Sequence, residues 1–257
     1  MLANERQNKI HEMLIKNGAV TTNDLVKKFR VSIETVRRDL LFMEQSKLLK
    51  RVHGGAVKAG EMIVLNKLDA RVEENRDKKR ELSEIAVKFI NEGDIIGVDA
   101  GSTAILFAEA LKENFSSLTV ITHSLDVFEI IGKHRNFNVI LCGGHFMKEE
   151  NSFYGRLALD TVKNLHMQKC FVCPSAVSLK FGVCDYNQEL VQIQQKFMEC
   201  SDEVFFLADS GKFEKNALLK LCDMKPEHTY ITDGGLSAEL KNIYKENQIK
   251  VVTGEEK

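Results

Sequence analysis

The segment 31–40 carries side chains of the kind that read DNA. Its sequence, VSIETVRRDL, places Ile33, Val36 and Leu40 on one side of a helix and polar or cationic residues on the other. Arginine can bind guanine through two hydrogen bonds in the major groove, and the N–H groups at a helix N-terminus suit a phosphate. The candidate contact residues of this helix are Ser32, Glu34, Thr35, Arg37 and Arg38.

A second group of polar residues follows a predicted strand at 94–99. Gly101 lets the backbone approach a ligand closely, and a helix is predicted to begin at the hydroxyl-bearing residues Ser102 and Thr103. An ordinary turn between a strand and a helix has the same composition, so both interpretations stay open on this segment alone. It lacks the G-x-G-x-x-G and Walker patterns of nucleotide-binding loops.

Polar residues follow three further predicted strands, in the segments THS (122–124), CGGH (142–145) and ADSGKF (208–213). Parallel strands bring such loops to one edge of a sheet, where ligands of α/β proteins bind. Lys212 would then pair with a phosphate, and Asp209 or Asp99 would accept hydrogen bonds from sugar hydroxyls. Each segment taken singly is also compatible with a plain loop.

Two kinds of scaffold must position these residues. Residues 1–57 are predicted to form three short helices, the third at 33–46, followed by a hairpin with a glycine-rich tip at 48–57. Lys50, Arg51 and His53 would make this hairpin a wing that touches the DNA backbone or minor groove. The alternative is a three-helix bundle with a solvated basic face.

From residue 79 onward, short β-rich runs alternate with helical patterns of 10–15 residues. This alternation predicts parallel βαβ units with right-handed crossovers and helices on both faces of the sheet. The charged, weakly periodic segment 58–78 is interpreted as a linker with some helix. The predicted domains are therefore 1–57, a winged helix-turn-helix, and 79–257, a larger and mostly parallel α/β domain.

Charge divides along the same boundary. Residues 1–57 hold 11 Lys and Arg against 6 Asp and Glu, a net of +5, so the remainder carries −6 of the total of −1. A basic module on an acidic body indicates nucleic-acid binding, although a chance imbalance would look the same. The composition of the 257 residues, 44% hydrophobic and 28% charged, excludes a disordered or collagen-like chain.

The sequence favours a protein of the cytoplasm. No apolar run is long enough to cross a bilayer, and the charged start, MLANERQNK, is unlike a secretory signal. The six cysteines are expected to be reduced thiols. Cys170 and Cys173 would point to opposite faces of a strand, so we expect buried, inert cysteines and neither a metal site nor a redox pair.

Residues 6–57 resemble the winged helix-turn-helix of the DeoR family of bacterial transcription regulators. The resemblance implies sequence-specific binding to double-stranded DNA, with Thr22 among the contact residues. The sequence departs from the family at Lys47, where glycine usually ends the recognition helix. The matching residues are Arg6, Leu25, Phe29, Val31, Ser32, Thr35, Val36, Arg37, Arg38, Asp39, Leu40, Glu44, Arg51, Val52, His53, Gly54, Gly55 and Ala56.

Residues 79–254 resemble the effector domain of the same family, whose fold is similar to those of ribose-5-phosphate isomerase, glucosamine-6-phosphate deaminase and CoA transferases. The resemblance implies a phosphorylated sugar as effector. The sequence departs from the family at His123, Gln168, 174–177 and Gly211. The effector-binding residues expected from the resemblance and from the strand ends are Lys79, Asp99, Gly101, Ser102, Thr103, Thr122, His123, Ser124, Gly143, Gly144, Asp209 and Lys212.

Together these observations predict a ligand-responsive transcription regulator, a repressor of sugar metabolism, with no catalytic residues and no cofactor. We expect a homodimer or homotetramer, since one small DNA-binding domain rarely supplies specific affinity for DNA. A sugar-phosphate isomerase or deaminase with an accessory head is the alternative, although an enzyme has no need of the Arg37–Arg38 helix. A redox or nucleotide sensor is a third hypothesis, which the missing glycine motif disfavours.

Overall fold

The computed structural model describes residues 3–46, 48–52, 54–58 and 67–254. Contacts between Cα atoms divide the chain into two compact units, each assembled from three separate segments. The first unit takes its residues from 1–64, 175–188 and 214–223, and the second from 65–174, 189–213 and 224–257. The domain boundaries expected from the sequence, at 57 and 78, stay a prediction.

The N-terminal elements, called the head from here on, are three helices and three strands. They are α1 (Ala3–Asn17), β1 (Ala19–Thr21), α2 (Thr22–Phe29), α3 (Ile33–Gln45), β2 (Leu49–Val52) and β3 (Gly55–Lys58). The predicted hairpin is β2 and β3 in antiparallel pairing. Strand β1, which was not predicted, adds to β3 and completes the sheet in the order β1-β3-β2.

Local capping fixes where the helices of the head begin. The Thr21 side chain accepts a hydrogen bond from the Asp24 amide at the start of α2, and the Ser32 side chain caps α3 through the Thr35 amide. Between these helices Arg30 adopts the left-handed conformation, with φ of 53°, which makes the turn tight. The core of the head contains Ile10, Leu14, Val20, Leu25, Val36, Leu40, Met43, Leu49 and Ala56.

One residue of the predicted apolar stripe is not buried. Val36 and Leu40 are buried as predicted, whereas Ile33 is 44% exposed. It is the first residue of α3, and helical side chains lean toward the N-terminus, so Ile33 projects past the end of the core.

The first unit also contains a small antiparallel sheet. Its strands, in the order β10-β11-β13, are Ala176–Ser178, Gly182–Asp185 and Leu219–Cys222. The head approaches it closely: a Cβ added to Gly18 would lie 3.2 Å from the Phe181 ring, and one added to Gly55 would lie 3.1 Å from the Leu218 side chain.

The second unit is built on a seven-stranded sheet in the order β15-β14-β12-β9-β4-β5-β6. Every pairing within it is parallel, which confirms the predicted α/β class. In chain order the strands are β4 (Ile95–Val98), β5 (Thr119–Thr122), β6 (Asn138–Leu141), β9 (Met167–Val172), β12 (Ser201–Leu207), β14 (Thr229–Ile231) and β15 (Lys250–Val252).

Helices and one extra hairpin complete this unit. The hairpin pairs β7 (His145–Met147) with β8 (Ser152–Tyr154) and was not predicted. The helices are α4 (Leu68–Glu73), α5 (Arg76–Ala86), α6 (Ser102–Asn114), α7 (Leu125–Ile131), α8 (Arg156–Val162), α9 (Gln188–Glu199) and α10 (Ala238–Glu246). The Ile-, Ala- and Val-rich segment 82–91 predicts a helix. The structure has α5 there, which begins six residues earlier, and a 3-10 turn at Val87–Phe89.

Candidate DNA-binding surface and effector site

The start of α3 presents a polar, cationic surface. The side chains of Glu34 and Arg37 are 62% and 59% exposed, and Arg37 Nη1 lies 3.5 Å from Glu34 Oε2. Arg38 is exposed beside them. A guanidinium held this loosely can exchange a surface carboxylate for a base edge at little cost.

The remaining predicted contacts of the head lie around this surface. Thr22 and Thr35 are half-buried in the first turns of α2 and α3, and the hydroxyls of Thr35 and Ser32 lie 2.9 Å apart. On the wing, Lys50 and Arg51 are exposed, and the Arg51 amide donates to the Glu44 carboxylate at 2.6 Å. His53 and the family departure at Lys47 lie outside the described residues.

A buried ion pair fixes α3 against α1. Arg6 Nε lies 2.5 Å from Asp39 Oδ2, a second guanidinium nitrogen donates to Oδ1 at 3.1 Å, and Gln7 donates to the same carboxylate. Arg6 and Asp39 are 6% and 4% exposed. The pair orients the helix whose opposite face carries Arg37 and Arg38.

The predicted effector residues gather at the switch point of the parallel sheet. Strands β4 and β9 are neighbours, but the chain continues from β4 toward β5 and β6 and from β9 toward β12, β14 and β15. A crevice opens at the carboxyl ends of strands where the order reverses in this way, and ligands of α/β proteins bind there.

Asp99, directly after β4, contacts three other residues at this edge of the sheet. Its Oδ1 atom lies 2.9 Å from His123 Nε2, and its Oδ2 atom accepts from the Cys173 amide and from Gln194 Nε2, both at 2.9 Å. The residue is 1% exposed. Both carboxylate oxygens thus have a protein partner, and binding of sugar hydroxyls by Asp99 stays a prediction.

His123 links the residue after β4 to strand β8 through its two ring nitrogens. Its Nδ1 atom lies 3.1 Å from the Phe153 carbonyl oxygen in β8, while Nε2 faces Asp99. Its neighbours use their hydroxyls locally: Thr122 accepts from the Ser124 amide at 3.1 Å, and Ser124 caps α7 through the Val127 amide at 3.2 Å.

The N-terminus of α6 is part of the candidate site. Gly101 precedes it with φ of 101°, a conformation that side chains disfavour. Ser102 and Thr103 are 4% and 1% exposed, and Thr103 Oγ1 is buried without a hydrogen-bond partner. A buried hydroxyl of this kind, beside free helix N–H groups, suits an anionic ligand.

A buried ion pair lies against the same turn. Glu150 Oε2 is 4.0 Å from the position that a Cβ on Gly101 would take. Arg71 Nη2 donates to both oxygens of Glu150, at 2.5 and 2.6 Å. Neither Arg71 nor Glu150 was predicted, because Arg71 fell in the presumed linker and no motif marks Glu150.

Two lysines add positive charge. Lys79 is 3% exposed and donates to the Arg71 and Glu74 carbonyl oxygens. Burial, together with the charge of nearby Lys212, lowers the pKa of Lys79 to about 8. Lys212 is half-buried and donates to the Pro174 carbonyl oxygen at 2.8 Å. The term anion site refers below to Lys79, Lys212 and the α6 N-terminus.

The Asp209 carboxylate, three residues before Lys212, accepts hydrogen bonds from nearby protein groups. Its Oδ1 atom accepts from the Gly211 amide at 3.1 Å and from Asn75 Nδ2 at 3.3 Å. On the far side of the sheet edge, Gly144 is needed because a Cβ there would lie 2.5 Å from the Tyr154 carbonyl oxygen. Gly143 is exposed, and nothing lies within 4 Å of a Cβ added there.

The six cysteines are all present as thiols. Cys142, Cys170, Cys173 and Cys184 are buried. In the part of the chain that the structure describes, no three His, Cys, Asp or Glu side chains are grouped to hold a metal ion. A search of the same residues finds no helix with the length and apolar character of a membrane span.

Comparison with known proteins assigns a family to each part of the chain. Residues 6–61 match the DeoR-like helix-turn-helix domain, and residues 74–234 match the DeoR C terminal sensor domain. The HTH-type transcriptional regulator YulB of Bacillus subtilis is 30% identical over 98% of this chain and 96% of its own. The L-fucose operon activator of Haemophilus influenzae is 28% identical over 97% and 99%.

Two further matches complete the comparison. The glycerol-3-phosphate regulon repressor of Escherichia coli is 25% identical over 98% of this chain and 99% of its own. The crystal structure of ribose 5 phosphate isomerase A from Neisseria gonorrhoeae aligns with 52% of each chain, at 19% identity and a TM-score of 0.39. At that level of similarity, the expected kinship with the isomerase fold stays a prediction.

Proposed function

The chain belongs to the DeoR family of transcription regulators, and from this membership we propose that it represses an operon of sugar metabolism. In this proposal α3 binds the operator, and a phosphorylated sugar or related metabolite at the anion site weakens that binding. Relatives named for the fucose operon and the glycerol-3-phosphate regulon support the sugar connection.

The proposal that the chain binds a phosphorylated effector depends on one observation, the proximity of two lysines, Lys79 and Lys212, at the sheet edge. Lys79 is buried near Lys212, and this proximity helps to lower the pKa of Lys79. The carboxylates of Asp209 and Glu74 act in the opposite direction, and a bound dianion would stabilise the two cations further. A phosphate group has the charge, and its oxygens can accept from the N–H groups of α6.

We propose binding without turnover, which sets the chain apart from an isomerase or deaminase. Proton transfer in such enzymes needs a base that reaches the substrate. Asp99, the carboxylate at the centre of the crevice, is buried and bound by His123, Gln194 and the Cys173 amide. In this proposal Asp99 orders the crevice and transfers no proton, in keeping with relatives that are transcription regulators.

The proposed working form is a homodimer or homotetramer in the cytoplasm, where the operator is. Two copies of α3 would then contact two half-sites of one operator. Binding of effector favours one arrangement of the copies, and coupling of about 1–3 kcal/mol changes operator affinity roughly 5–150-fold.

Selection of binding sequences from a random duplex library by the purified chain tests the DNA half. We expect one consensus operator. Arg37→Ala and Arg38→Ala should each weaken binding to it, by about 1–3 kcal/mol for a lost two-bond contact with guanine. Arg156→Ala, which removes an arginine with a 92% exposed side chain on α8, serves as the control. Unchanged affinity in both α3 variants would exclude this helix as the reader.

A thermal-shift screen of sugar phosphates tests the sensing half. We expect a stabilising compound that also lowers operator affinity in fluorescence anisotropy. Its effect should disappear in Lys212→Ala, because that variant removes the more accessible, half-buried partner of the lysine pair. A stabilising compound that acts equally on Lys212→Ala would place the phosphate elsewhere.

A further inference from the structure

Ile33 is an apolar side chain with no role in the core. It begins α3 and continues the spacing of the buried residues Val36 and Leu40, yet it is 44% exposed. Positions where a local packing rule fails are enriched in functional residues. Single exposed apolar side chains are common on protein surfaces, so the case for a partner of Ile33 depends on where this residue lies.

The position of Ile33 on the recognition helix identifies that partner. Residues near the N-terminus of such a helix contact base edges. Among the first six residues of α3, the exposed ones are Ile33, Glu34, Arg37 and Arg38. Ile33 is the aliphatic member of this set, and it shares a helix face with Arg37 four residues later.

The major groove offers one apolar group to such a side chain, the C5-methyl of thymine. We propose that Ile33 reads a thymine through this methyl group, next to the base pair that Arg37 contacts. The inference rests on the proposed function and adds to it the identity of one base. A β-branched side chain has essentially one rotamer in a helix, so Ile33 is already ordered before DNA binds.

The three charged side chains beside Ile33 cannot take over this role. Glu34 lies 3.5 Å from Arg37, and its carboxylate accepts hydrogen bonds, which the methyl group cannot donate. Arg37 and Arg38 donate hydrogen bonds and favour the acceptor atoms of guanine. Thr35 is half-buried, and its hydroxyl lies 2.9 Å from that of Ser32. Among the exposed residues at the start of α3, selectivity for a thymine methyl group therefore depends on Ile33.

Replacement of thymine by deoxyuridine tests the proposal, because the two bases differ only in the C5-methyl group. The consensus operator from the library selection is synthesised with each thymine replaced in turn. Affinities are measured by fluorescence anisotropy for the unmodified chain and for Ile33→Ala. One substitution should weaken binding by the unmodified chain about fourfold, as expected for one buried methyl group.

Ile33→Ala should bind the thymine and deoxyuridine duplexes equally at that position and keep any discrimination at other thymines. Leu41→Ala is the matched control, since Leu41 lies on the same face two turns later and is 42% exposed. It should discriminate as the unmodified chain does. Circular dichroism checks that both variants keep their helices.

Two results would overturn the inference. One is a fourfold loss on deoxyuridine substitution that Ile33→Ala retains in full. The other is a consensus without any thymine whose methyl group affects binding. A selection that yields no consensus at all would instead contradict the proposed function itself.

Discussion

At the scale of single residues, Lys79 is the most informative group. Its amine is enclosed by the Arg71 and Glu74 carbonyl oxygens, and burial lowers its pKa to about 8. The folded chain thus holds this proton less tightly than the unfolded chain does. The contribution of Lys79 to the unfolding free energy therefore rises with pH between about 8 and 10.5.

The same pKa predicts how effector binding depends on pH. An anion favours the charged form of Lys79, so binding takes up a proton once the pH exceeds the pKa. Between pH 8 and 9 the affinity for a sugar phosphate should fall, by up to about tenfold. Isothermal titration calorimetry in two buffers of different ionisation enthalpy measures both affinity and proton uptake.

Lys79→Arg provides the control for this prediction, because an arginine stays charged over the whole range. Its affinity should not change between pH 8 and 9. Equal pH dependence in the two proteins would show that another group takes up the proton.

The thiols make a second prediction at this scale. Burial raises the pKa of Cys142 and of Cys170 to about 12 and that of Cys184 to about 11, so these side chains stay protonated at neutral pH. Cys200 and Cys222 are the half-buried ones. A disulfide exchange reagent such as DTNB should react with these two in the folded chain and with all six after denaturation. Rapid reaction of Cys142 or Cys170 would contradict the burial described above.

At the scale of elements, the Arg6–Asp39 pair holds α1 against α3. Asp39→Ala removes both hydrogen bonds from the guanidinium and leaves a buried positive charge without its carboxylate. We expect it to lower the free energy of unfolding by about 3–5 kcal/mol, measured by urea denaturation. Glu34→Ala removes the partner of the exposed Arg37 instead and should cost less than about 1 kcal/mol.

The loss in Asp39→Ala has two sources: the buried charge left on Arg6 and the missing attraction of the ion pair. The double variant Arg6→Met with Asp39→Leu separates them, because it removes both charges. Apolar residues of similar volume often replace a buried pair without penalty. The double variant should therefore be more stable than Asp39→Ala. A double variant no more stable than Asp39→Ala would mean that the ion pair itself stabilises the head.

The sequence predicts the strands that alternate with helices, including the three-residue strands β14 and β15, and it misses short strands outside that alternation. The run NVIL at 138–141 predicts a strand, and β6 has these bounds. Strands β1, β7 and β10 have three residues each, too few for an alternating pattern to appear. Helix α5 was started late because its first turn, with Arg76 and Asp77, is charged and resembles a linker.

Residues of the candidate site were likewise predicted only where they belong to a local sequence pattern. Residues in strand-to-helix turns, such as Asp99 and Ser102, were found because small polar residues after a strand form a local pattern. Arg71 and Glu150 are 79 positions apart, and no local pattern connects them. Such a pair is visible only once the chain has folded.

At the scale of the whole molecule, the proposed dimer or tetramer makes a prediction about both protein and DNA. Sedimentation velocity should give a mass of two or four chains. Footprinting should show two half-sites about one helical turn of DNA, or a multiple of it, apart. A monomer bound to a single half-site with full affinity would contradict the proposed assembly.

The first compact unit draws on three stretches of chain, and this has a practical consequence for dissecting the protein. A gene truncated after codon 64 omits Phe181 and Leu218, the side chains that approach Gly18 and Gly55. Such a fragment presents to solvent a surface that is covered in the intact polypeptide. Gel-shift or reporter work with an isolated head would thus report on an incomplete folding unit, and we recommend full-length protein for every DNA-binding measurement.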